Sequence, residues 1–525
     1  MPITSAARLR NLLVAACVLL GALPVLAQNV QRNPIVIDEI KHDVSLPLRE
    51  LARYAPPIQP GAGRTLIPGR SLSFHGSAST VDPVAQQIEL PTVGTTNLLN
   101  FDGITHAQGG ASPPDTNGSV GSTQFVLITN FDYAVYDKTT GATLLPPTRI
   151  NTIWSGFGGL CETTPGGDPV VLWDKLAQRW LVTELSYNGG FSQNFLCIAV
   201  STSADATGSY NRYAYAFGST LPDYPKYAVW PDAYYASVNA FGIGTAEPCA
   251  FDRSAMLAGG NAQMICFPPK NPNFSFLPSD LDGNTLPPAG APNHFIELGV
   301  GNTTLSQFDF HVDFVNPSNS TFTGPTTITI PSYFEACGGG TCIPQPSPGV
   351  SLDSLADRLM FRLAYRNYGD HEAMVVSHSV RPKSGATSVS GMRWYELRST
   401  PPGGAFSTFQ AGTFQKKAIT LWMGSVAMDK AGDIALGMSA SSTSIKPTVV
   451  YTGRVPTDPK GAMESPAVVV SGTGVQTTLS RWGDYSSMSI DPFDDCTFWY
   501  VQEYFQANGA NWITRVVSFK FNSCH

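Results

Sequence analysis

The feature that most constrains this chain is a three-part unit that recurs along it. Its clearest copy spans residues 481–500, where the polar lead Arg481-Trp482-Gly483-Asp484-Tyr485 precedes an apolar strand, then a turn and a second strand. Related copies begin at the leads near Asp115, Asp168, Asp223 and Trp422. The copies lie about 45–70 residues apart, a spacing typical of propeller blades rather than of short solenoid rungs.

This repeat predicts an all-β fold. A small antiparallel sheet cannot bury both of its faces, whereas sheets packed radially cover one another and expose only short edges. We therefore expect a single β-propeller of seven blades, or of six if the vaguer unit at 294–330 is an insertion. The last copy shows only three strands. We therefore expect part of an N-terminal arm, which precedes the first copy, to supply the outer strand and close the ring, because an open sheet edge invites aggregation.

The expected domains are a leader (1–27), an N-terminal arm (28–100) and the propeller (101–525). In the leader, Arg8 and Arg10 precede an apolar run and a small-residue cleavage site at Ala27, as in an export signal. The run is too short for a membrane anchor. We expect a secreted or periplasmic monomer without a membrane span. A net charge of -7 argues against a nucleic-acid partner.

The cysteines fit an exported chain. Once the leader and its Cys17 are removed, an even number remains, which predicts disulfides. Adjacent pairing would close only local loops, and no Cys-x-x-Cys spacing suggests a metal. The remaining cysteines are Cys161, Cys197, Cys249, Cys266, Cys337, Cys342, Cys496 and Cys524.

The repeat also places side chains on one face of the ring. In a propeller, the leads before the inner strands share a face with the second hairpin turns, so polar residues should collect there. Close carboxylates raise one another's pKa, which suits an acid/base pair. The catalytic candidates are Asp168, Asp223, Tyr224, His371, Asp484 and Tyr485. The substrate-binding candidates are Lys226, Arg366, Asp370, Trp422, Arg481 and Trp482. Asp115 and Asn117 are the candidates for a calcium site, since calcium prefers oxygen ligands.

Each candidate also has a structural interpretation. An Asp that precedes a strand often caps a turn through its own backbone. His371 lies in a turn where Asp370 could orient its ring, although such a histidine often has no function. Arg362 and Arg366 share a strand face and could bind a carboxylate or sulfate, or pair with acids of neighbouring blades. Serine and cysteine hydrolases are disfavoured, because the Gly-x-Ser-x-Gly elbow and similar motifs are absent.

Taken together, residues 100–524 resemble a family of secreted bacterial β-propeller proteins. The phrases that carry the resemblance include Pro113-Pro114-Asp115-Thr116-Asn117-Gly118, Tyr224-Pro225-Lys226, Arg393-Trp394-Tyr395-Glu396 and Arg481-Trp482-Gly483-Asp484-Tyr485. The resemblance implies the fold and export, and it brings no activity with it. Asp-box spacing is absent, so similarity to sialidases is one of architecture only.

Two functions follow as hypotheses. The first is a binding or structural protein of the cell exterior that presents an acidic, aromatic channel mouth to a glycan or an extracellular protein, with calcium as a structural ion. The second is a glycan-cleaving enzyme, a glycoside hydrolase or lyase that uses Asp, Tyr and His on the same face. The sequence leaves open whether the protein is an enzyme.

Overall fold

A computed structural model describes residues 33–55, 81–241, 245–267, 275–383 and 390–525. The expected leader lies outside these residues. The described part of the arm holds strands β1 (Ile35–Asp38) and β2 (Lys41–Val44), helix α1 (Leu48–Leu51), strand β3 (Thr95–Thr105) and helix α2 (His106–Gly109). None of the helices in the described ranges is both long and apolar enough to cross a membrane.

Strands dominate the rest of the described chain. They are β4 (Asn117–Val120), β5 (Gln124–Thr129), β6 (Asp132–Asp137) and β7 (Thr143–Arg149); after helix α3 (Leu160–Thr163), β8 (Pro165–Asp174), β9 (Arg179–Tyr187), β10 (Asn194–Ser201), β11 (Tyr210–Gly218), β12 (Leu221–Val229), β13 (Tyr234–Phe241) and β14 (Thr245–Phe251); after helix α4 (Arg253–Ala258), β15 (Gln263–Cys266), β16 (Leu277–Leu281), β17 (Asn293–Leu298), β18 (Thr304–His311), β19 (Thr321–Thr329), β20 (Thr341–Ile343), β21 (Leu352–Asp353), β22 (Met360–Asn367), β23 (Glu372–Val380), β24 (Gly391–Ser399), β25 (Ser407–Phe414), β26 (Thr420–Met428), β27 (Ile434–Ser441), β28 (Thr448–Arg454), β29 (Ala467–Val470), β30 (Ser487–Ile490), β31 (Thr497–Phe505) and β32 (Trp512–Phe521).

Consecutive strands pair antiparallel in runs of four. The runs are β4–β7, β8–β11, β12–β15, β16–β19, β22–β25 and β26–β29. Strands β30–β32 form a further run whose outermost strand is β3, paired antiparallel with β32 from Thr95 opposite Phe521 to Thr105 opposite Ile513. Strand β3 of the arm therefore occupies the position of the fourth strand that the last copy lacks in the sequence. Strands β1 and β2 add a fifth strand to two other runs, outside β15 and β11.

The first strands of these runs surround one axis. Strand β4 contacts β8, β8 contacts β12, and the contacts continue through β16, β22, β26 and β30 back to β4. Strands β16 and β22 also pair in parallel, with Ser279 opposite Leu363. Small sheets with their first strands around an axis are a β-propeller, as the repeat predicts.

The core lies between the faces of adjacent sheets. Successive residues of a strand point to opposite faces, so each strand serves two cores. In β9, Val182 packs in a cluster with Val126 of the preceding sheet, while its neighbour Leu181 packs in a cluster with Tyr234 of the following sheet. All four side chains are fully buried. Adjacent sheets thus cover one another's apolar faces.

The four expected disulfides are confirmed. They join Cys161 to Cys197, Cys249 to Cys266, Cys337 to Cys342, and Cys496 to Cys524. Each closes a local loop of the kind that adjacent pairing predicts. The disulfides are compatible with an extracellular protein.

The arm is held to the propeller by buried polar contacts. Asp82 accepts hydrogen bonds from the Arg393 guanidinium at 2.6 Å and from the Thr413 hydroxyl at 2.7 Å, and all three residues are fully buried. Farther upstream, the Arg212 guanidinium donates two hydrogen bonds of 2.7 Å to Asp43. The arm is therefore part of the folded domain and not only a linker to it.

Candidate functional site

The candidate site lies at the end of the axis where the inner strands begin, called the upper end below. Several inner strands start there with a non-glycine residue in the left-handed region, at φ of 50–63°. These residues are Asp115, Asp168, Tyr224, Ser275 and Met423. Such backbone conformations cost about 1–3 kcal/mol each and occur disproportionately at functional sites. Their recurrence indicates that the upper end is held in an unusual geometry.

Backbone N–H groups and an amide fix two of the carboxylates. Asp115 accepts from the Asp484 N–H at 2.6 Å and from the Asn130 side-chain amide at 2.7 Å. Asp168 accepts from the Tyr224 N–H at 3.0 Å. These bonds tie the leads of different blades together, and their donors lie far along the chain rather than in the aspartates' own turns. Burial, together with Asp484 and Asp168, raises the pKa of Asp115 well above its usual range.

A buried cation lies among these carboxylates. The Lys226 ammonium is 3.4 Å from the centre of the Tyr224 ring and 4.1 Å from that of Tyr485, and it donates to the carbonyl of Pro225. Burial lowers the pKa of Lys226 to about 8, although carboxylates led by Asp168 oppose the shift. The lysine offsets part of the negative charge at the upper end.

Asp223 differs from the other carboxylates because it is partly exposed. Burial raises the pKa of Asp223 well above its usual range, and the charges of Asp168 and Asp484 raise it further. Arg358 and Lys226 oppose the shift. This partly exposed carboxyl group therefore holds its proton more tightly than an ordinary aspartic acid does.

Asp484 lies in a different environment. It forms an ion pair with Arg481 and is only 8% exposed. Arg358, which is ion-paired with Asp357 at 2.8 Å, lies over the Tyr224 ring at 4.7 Å. The upper end thus combines a carboxyl group whose pKa is raised with an ion-paired carboxylate, an arrangement that suits general acid/base chemistry.

The aromatic candidates do not form an open mouth. Trp422 and Tyr485 are 0% exposed, Trp482 is 1% exposed and Tyr224 is 2% exposed. The Trp482 ring packs against Trp422, with centroids 5.6 Å apart, and its N–H donates to the Ser439 hydroxyl. These rings are core side chains of the inner strands and of the lead before β30, so a sugar arriving from solvent has no access to their faces.

The calcium candidates already make other contacts. Both oxygens of Asp115 accept N–H donors, and Asn117 Oδ1 accepts from the Val171 N–H at 2.9 Å. The ammonium of Lys226 is close enough to Asp115 for the two charges to interact. The positions a cation would need are thus occupied by donors, and this arrangement fits calcium poorly.

The structure separates three other candidates from this cluster. His371, Asp370 and Arg366 lie at the opposite, lower end of the axis, because β22 is an inner strand and the turn after it is a first hairpin turn. His371 bonds to Asp370 at 2.7 Å and stacks on Tyr368. The expected position of His371 and Asp370 beside Asp168 and Asp484 is therefore wrong. Arg366 pairs bidentately with Asp495, with both N–O distances 2.7 Å.

The similarity of two short segments explains why His371 and Asp370 were misplaced and why Arg358 was missed. The segment 353–358 resembles the hairpin turn 174–179 in sequence, which suggests a turn followed by a second strand. In the structure it is instead a lead, and it brings Arg358 to the upper end. The signal that could have found Arg358 is its position directly before an apolar strand, as in the lead that contains Asp168.

No protein-family model matches the chain, and no curated protein matches it. Similar solved structures include the α-L-arabinofuranosidase of Fusarium graminearum with an iminosugar inhibitor, at 9% identity and TM-score 0.35, over 82% of this chain and 99% of that one. A PL25 ulvan lyase has 13% identity and TM-score 0.33, over 81% and 97%. Drosophila Plexin A in complex with Semaphorin 1b has 8% identity and TM-score 0.33, over 83% and 89%. Similarities at such TM-scores do not bear on the activity of this chain.

Proposed function

We propose that the protein is a glycan-cleaving enzyme whose acid/base pair lies at the upper end. The observation that carries the proposal is Asp223, a partly exposed carboxyl group with a raised pKa that interacts electrostatically with the ion-paired carboxylate of Asp484. Cleavage of a glycosidic bond requires one carboxyl group that gives a proton and a second that attacks the sugar or activates water.

The two carboxyl groups have different roles because their environments differ. Asp223 donates its proton to the leaving oxygen of the glycosidic bond. Asp484, oriented by Arg481, acts as the nucleophile or as the base for water. Arg358 and Lys226 limit the negative charge that accumulates when Asp223 loses its proton. Because a general acid must be protonated, activity should fall as the pH rises through the raised pKa of Asp223.

A binding or structural role is the alternative. It depended on open aromatic rings at the channel mouth, and the burial of Trp422, Trp482 and Tyr485 removes that support. The polar rim of Asp223 and Arg481 remains for such a role. Wild-type protein that binds glycans tightly without releasing reducing sugar would favour this alternative and would contradict the enzyme proposal.

The decisive experiment uses Asp223→Asn on two substrates. On a natural glycan, loss of the general acid should lower kcat by about 100-fold or more. On a dinitrophenyl glycoside of the same sugar, whose leaving group needs no proton, the variant should keep most of its activity. Asp484→Asn should lose activity on both substrates, since its role does not depend on the leaving group.

Asp370→Asn is the matched control, because Asp370 is an exposed carboxylate at the opposite end. It should leave both activities unchanged. Equal loss on the two substrates in Asp223→Asn would refute the assignment of the proton donor. Thermal unfolding of each variant separates loss of activity from loss of fold.

Other features belong to the same proposal. We propose seven blades, with β3 completing the last one, and export of the chain by the leader 1–27. The contacts between inner strands and the β3–β32 pairing support the number of blades, and the disulfides support export.

Calcium binding stays a prediction. If calcium binds a structural site, a chelator should lower the melting temperature, and an unchanged melting temperature would contradict the prediction.

A further inference from the structure

A cleft opens at the lower end of the propeller, between the sheet β16–β19 and the sheet β22–β25. One wall is the segment 288–292, in the loop after the inner strand β16, and the other is the segment 403–406, in the loop between β24 and β25. Side chains of β17 and β18 form its floor. The cleft has a volume of about 370 Å³, which is within the range of small-molecule sites.

The floor of the cleft carries an ionised carboxylate, that of Asp309. His294 Nδ1 lies 2.7 Å from Asp309 Oδ1, and the Gln307 side-chain amide donates to the same oxygen at 2.9 Å. Burial raises the pKa of Asp309, but the interaction with His294 and the hydrogen bond from Gln307 outweigh it and hold the pKa below its usual value. Asp309 is therefore negatively charged at neutral pH.

The Asp309 carboxylate is also accessible to a ligand. Its side chain is 34% exposed, whereas the imidazole that supports it is only 9% exposed. Both protein donors approach Oδ1, so they leave Oδ2 for a further donor. The neighbours thus orient the carboxylate and keep one of its oxygens available for a charge-assisted hydrogen bond.

The other carboxylate of the cleft serves the protein itself. Glu372 is 1% exposed, and it accepts from the Tyr365 hydroxyl at 2.5 Å and from the Gly403 N–H. It therefore holds the wall 403–406 against β23. Its charge still adds to that of Asp309, and neither lysine nor arginine is among the described residues that line the cleft. An anion would be repelled there, whereas a cation would be attracted.

The walls of the cleft are apolar. Pro288 and Pro292 are partly exposed, and Ala405 is exposed at the mouth. Phe406 is 5% exposed, and its ring packs edge-on against His294 with centroids 4.9 Å apart. A ligand that fits these surroundings combines a cationic head with a short hydrocarbon body. A primary ammonium group suits the free oxygen better than a quaternary one, because it has N–H donors.

We propose that this cleft binds a primary ammonium group on a short aliphatic chain, with the ammonium on Asp309 Oδ2 and the chain against Pro288 and Pro292. Free aliphatic amines and the lysine side chains of a peptide share this chemistry. The cleft lies at the opposite end of the propeller from Asp223, and the proposal does not depend on the acid/base pair.

The test is calorimetric titration and saturation-transfer NMR at about pH 8, where aliphatic ammonium groups are charged. The probes are n-butylamine for a free amine and Nα-acetyl-L-lysine methylamide for a lysine side chain. 1-Butanol, butyrate and L-arabinose test whether the positive charge matters. Wild-type protein should bind at least one of the two amines, and it should bind the other three compounds about tenfold or more weakly. Asp309→Asn keeps the size of the side chain and should lower the affinity for the amine about tenfold or more.

Asp370→Asn is the matched control, because it removes the same charge from an exposed side chain at the same end but outside the cleft lining. It should leave amine binding unchanged. Ala405→Trp fills the mouth and leaves the carboxylate intact, so it should also weaken binding and keeps the test informative if Asp309→Asn fails to fold.

Three results would overturn the proposal. They are no binding of either amine, amine binding that survives both Asp309→Asn and Ala405→Trp, and binding of 1-butanol or L-arabinose as tight as that of the amine. Glycan cleavage by Asp309→Asn should equal that of wild type, so a failure of the proposed enzymatic function would leave this result unaffected.

Discussion

The contact between Asp82 and Arg393 offers a direct test of how the arm is held. Asp82→Ala removes a carboxylate that accepts from Arg393, from Thr413 and from the Val84 N–H at 2.9 Å. The guanidinium would then be left in a fully buried position beside neutral acceptors, among them the carbonyls of Pro331 and Ser332 and the Thr413 hydroxyl.

The expected cost follows from that burial. Removing one partner of a buried ion pair destabilises a protein by about 3–5 kcal/mol, because an uncompensated charge stays behind. For a chain of about 500 residues, 1 kcal/mol corresponds to about 1 °C in melting temperature. Asp82→Ala should therefore lower the melting temperature by about 3–5 °C.

The assay is thermal unfolding followed by tryptophan fluorescence, combined with limited proteolysis. The arm should become the first site of cleavage in Asp82→Ala, since its segment next to β25 loses its anchor. The double variant Asp82→Leu/Arg393→Met replaces both charges by apolar groups and should recover a large part of the loss.

The reasoning would be refuted by a shift below about 1 °C in Asp82→Ala. It would also be refuted if the double variant lost as much as the two single variants together. Lys416→Ala is a suitable comparison, because its ion pair with Glu89 also joins the arm to the propeller but is largely exposed on the Glu89 side. Its loss should be within about 1 kcal/mol.

Two further predictions concern pH and the disulfides. Burial raises the pKa of Asp132 to about 7 against the effect of Arg149, so wild-type stability should fall as the pH rises from about 4 to 7. Asp132→Asn should match wild type near pH 4 and be about 2–4 kcal/mol more stable at pH 8 by denaturant unfolding; equal stability at pH 8 would contradict this. Replacing both cysteines of the 496–524 disulfide by serine should cost about 3–4 kcal/mol, against about 2 kcal/mol for the shorter 337–342 loop. Melting temperatures in the reverse order would contradict the loop-length argument.

Local pattern was enough to predict much of the fold. The three strands expected in the last copy match β30, β31 and β32 closely, since each is a short apolar run between turn residues. The cysteine pairs followed from their order along the chain. The strand expected from the arm pairs as β3, although it ends at Thr105 and thus beyond the expected boundary at residue 100.

The site was harder to predict, because sequence pattern does not distinguish a lead from a turn. Segment 353–358 shares residues with the hairpin turn 174–179, but it is followed by an inner strand. Interpreting it as a turn places His371 at the wrong end of the axis. Burial is also set by packing across the axis. Trp422 and Trp482 carry the composition of a sugar-binding surface, yet each is covered by side chains of neighbouring blades that no local pattern reveals.

The pairing of β3 with β32 has a consequence for how the chain can fold. Thr95 lies opposite Phe521, so the two partners are separated by most of the sequence and meet only after nearly all of it has been made. Contacts this far apart in sequence form slowly, because the intervening chain must first be ordered. Until they form, β3 has no partner strand and β32 keeps a bare edge, and in a chain cut short before β32 the strand β3 would stay unpaired.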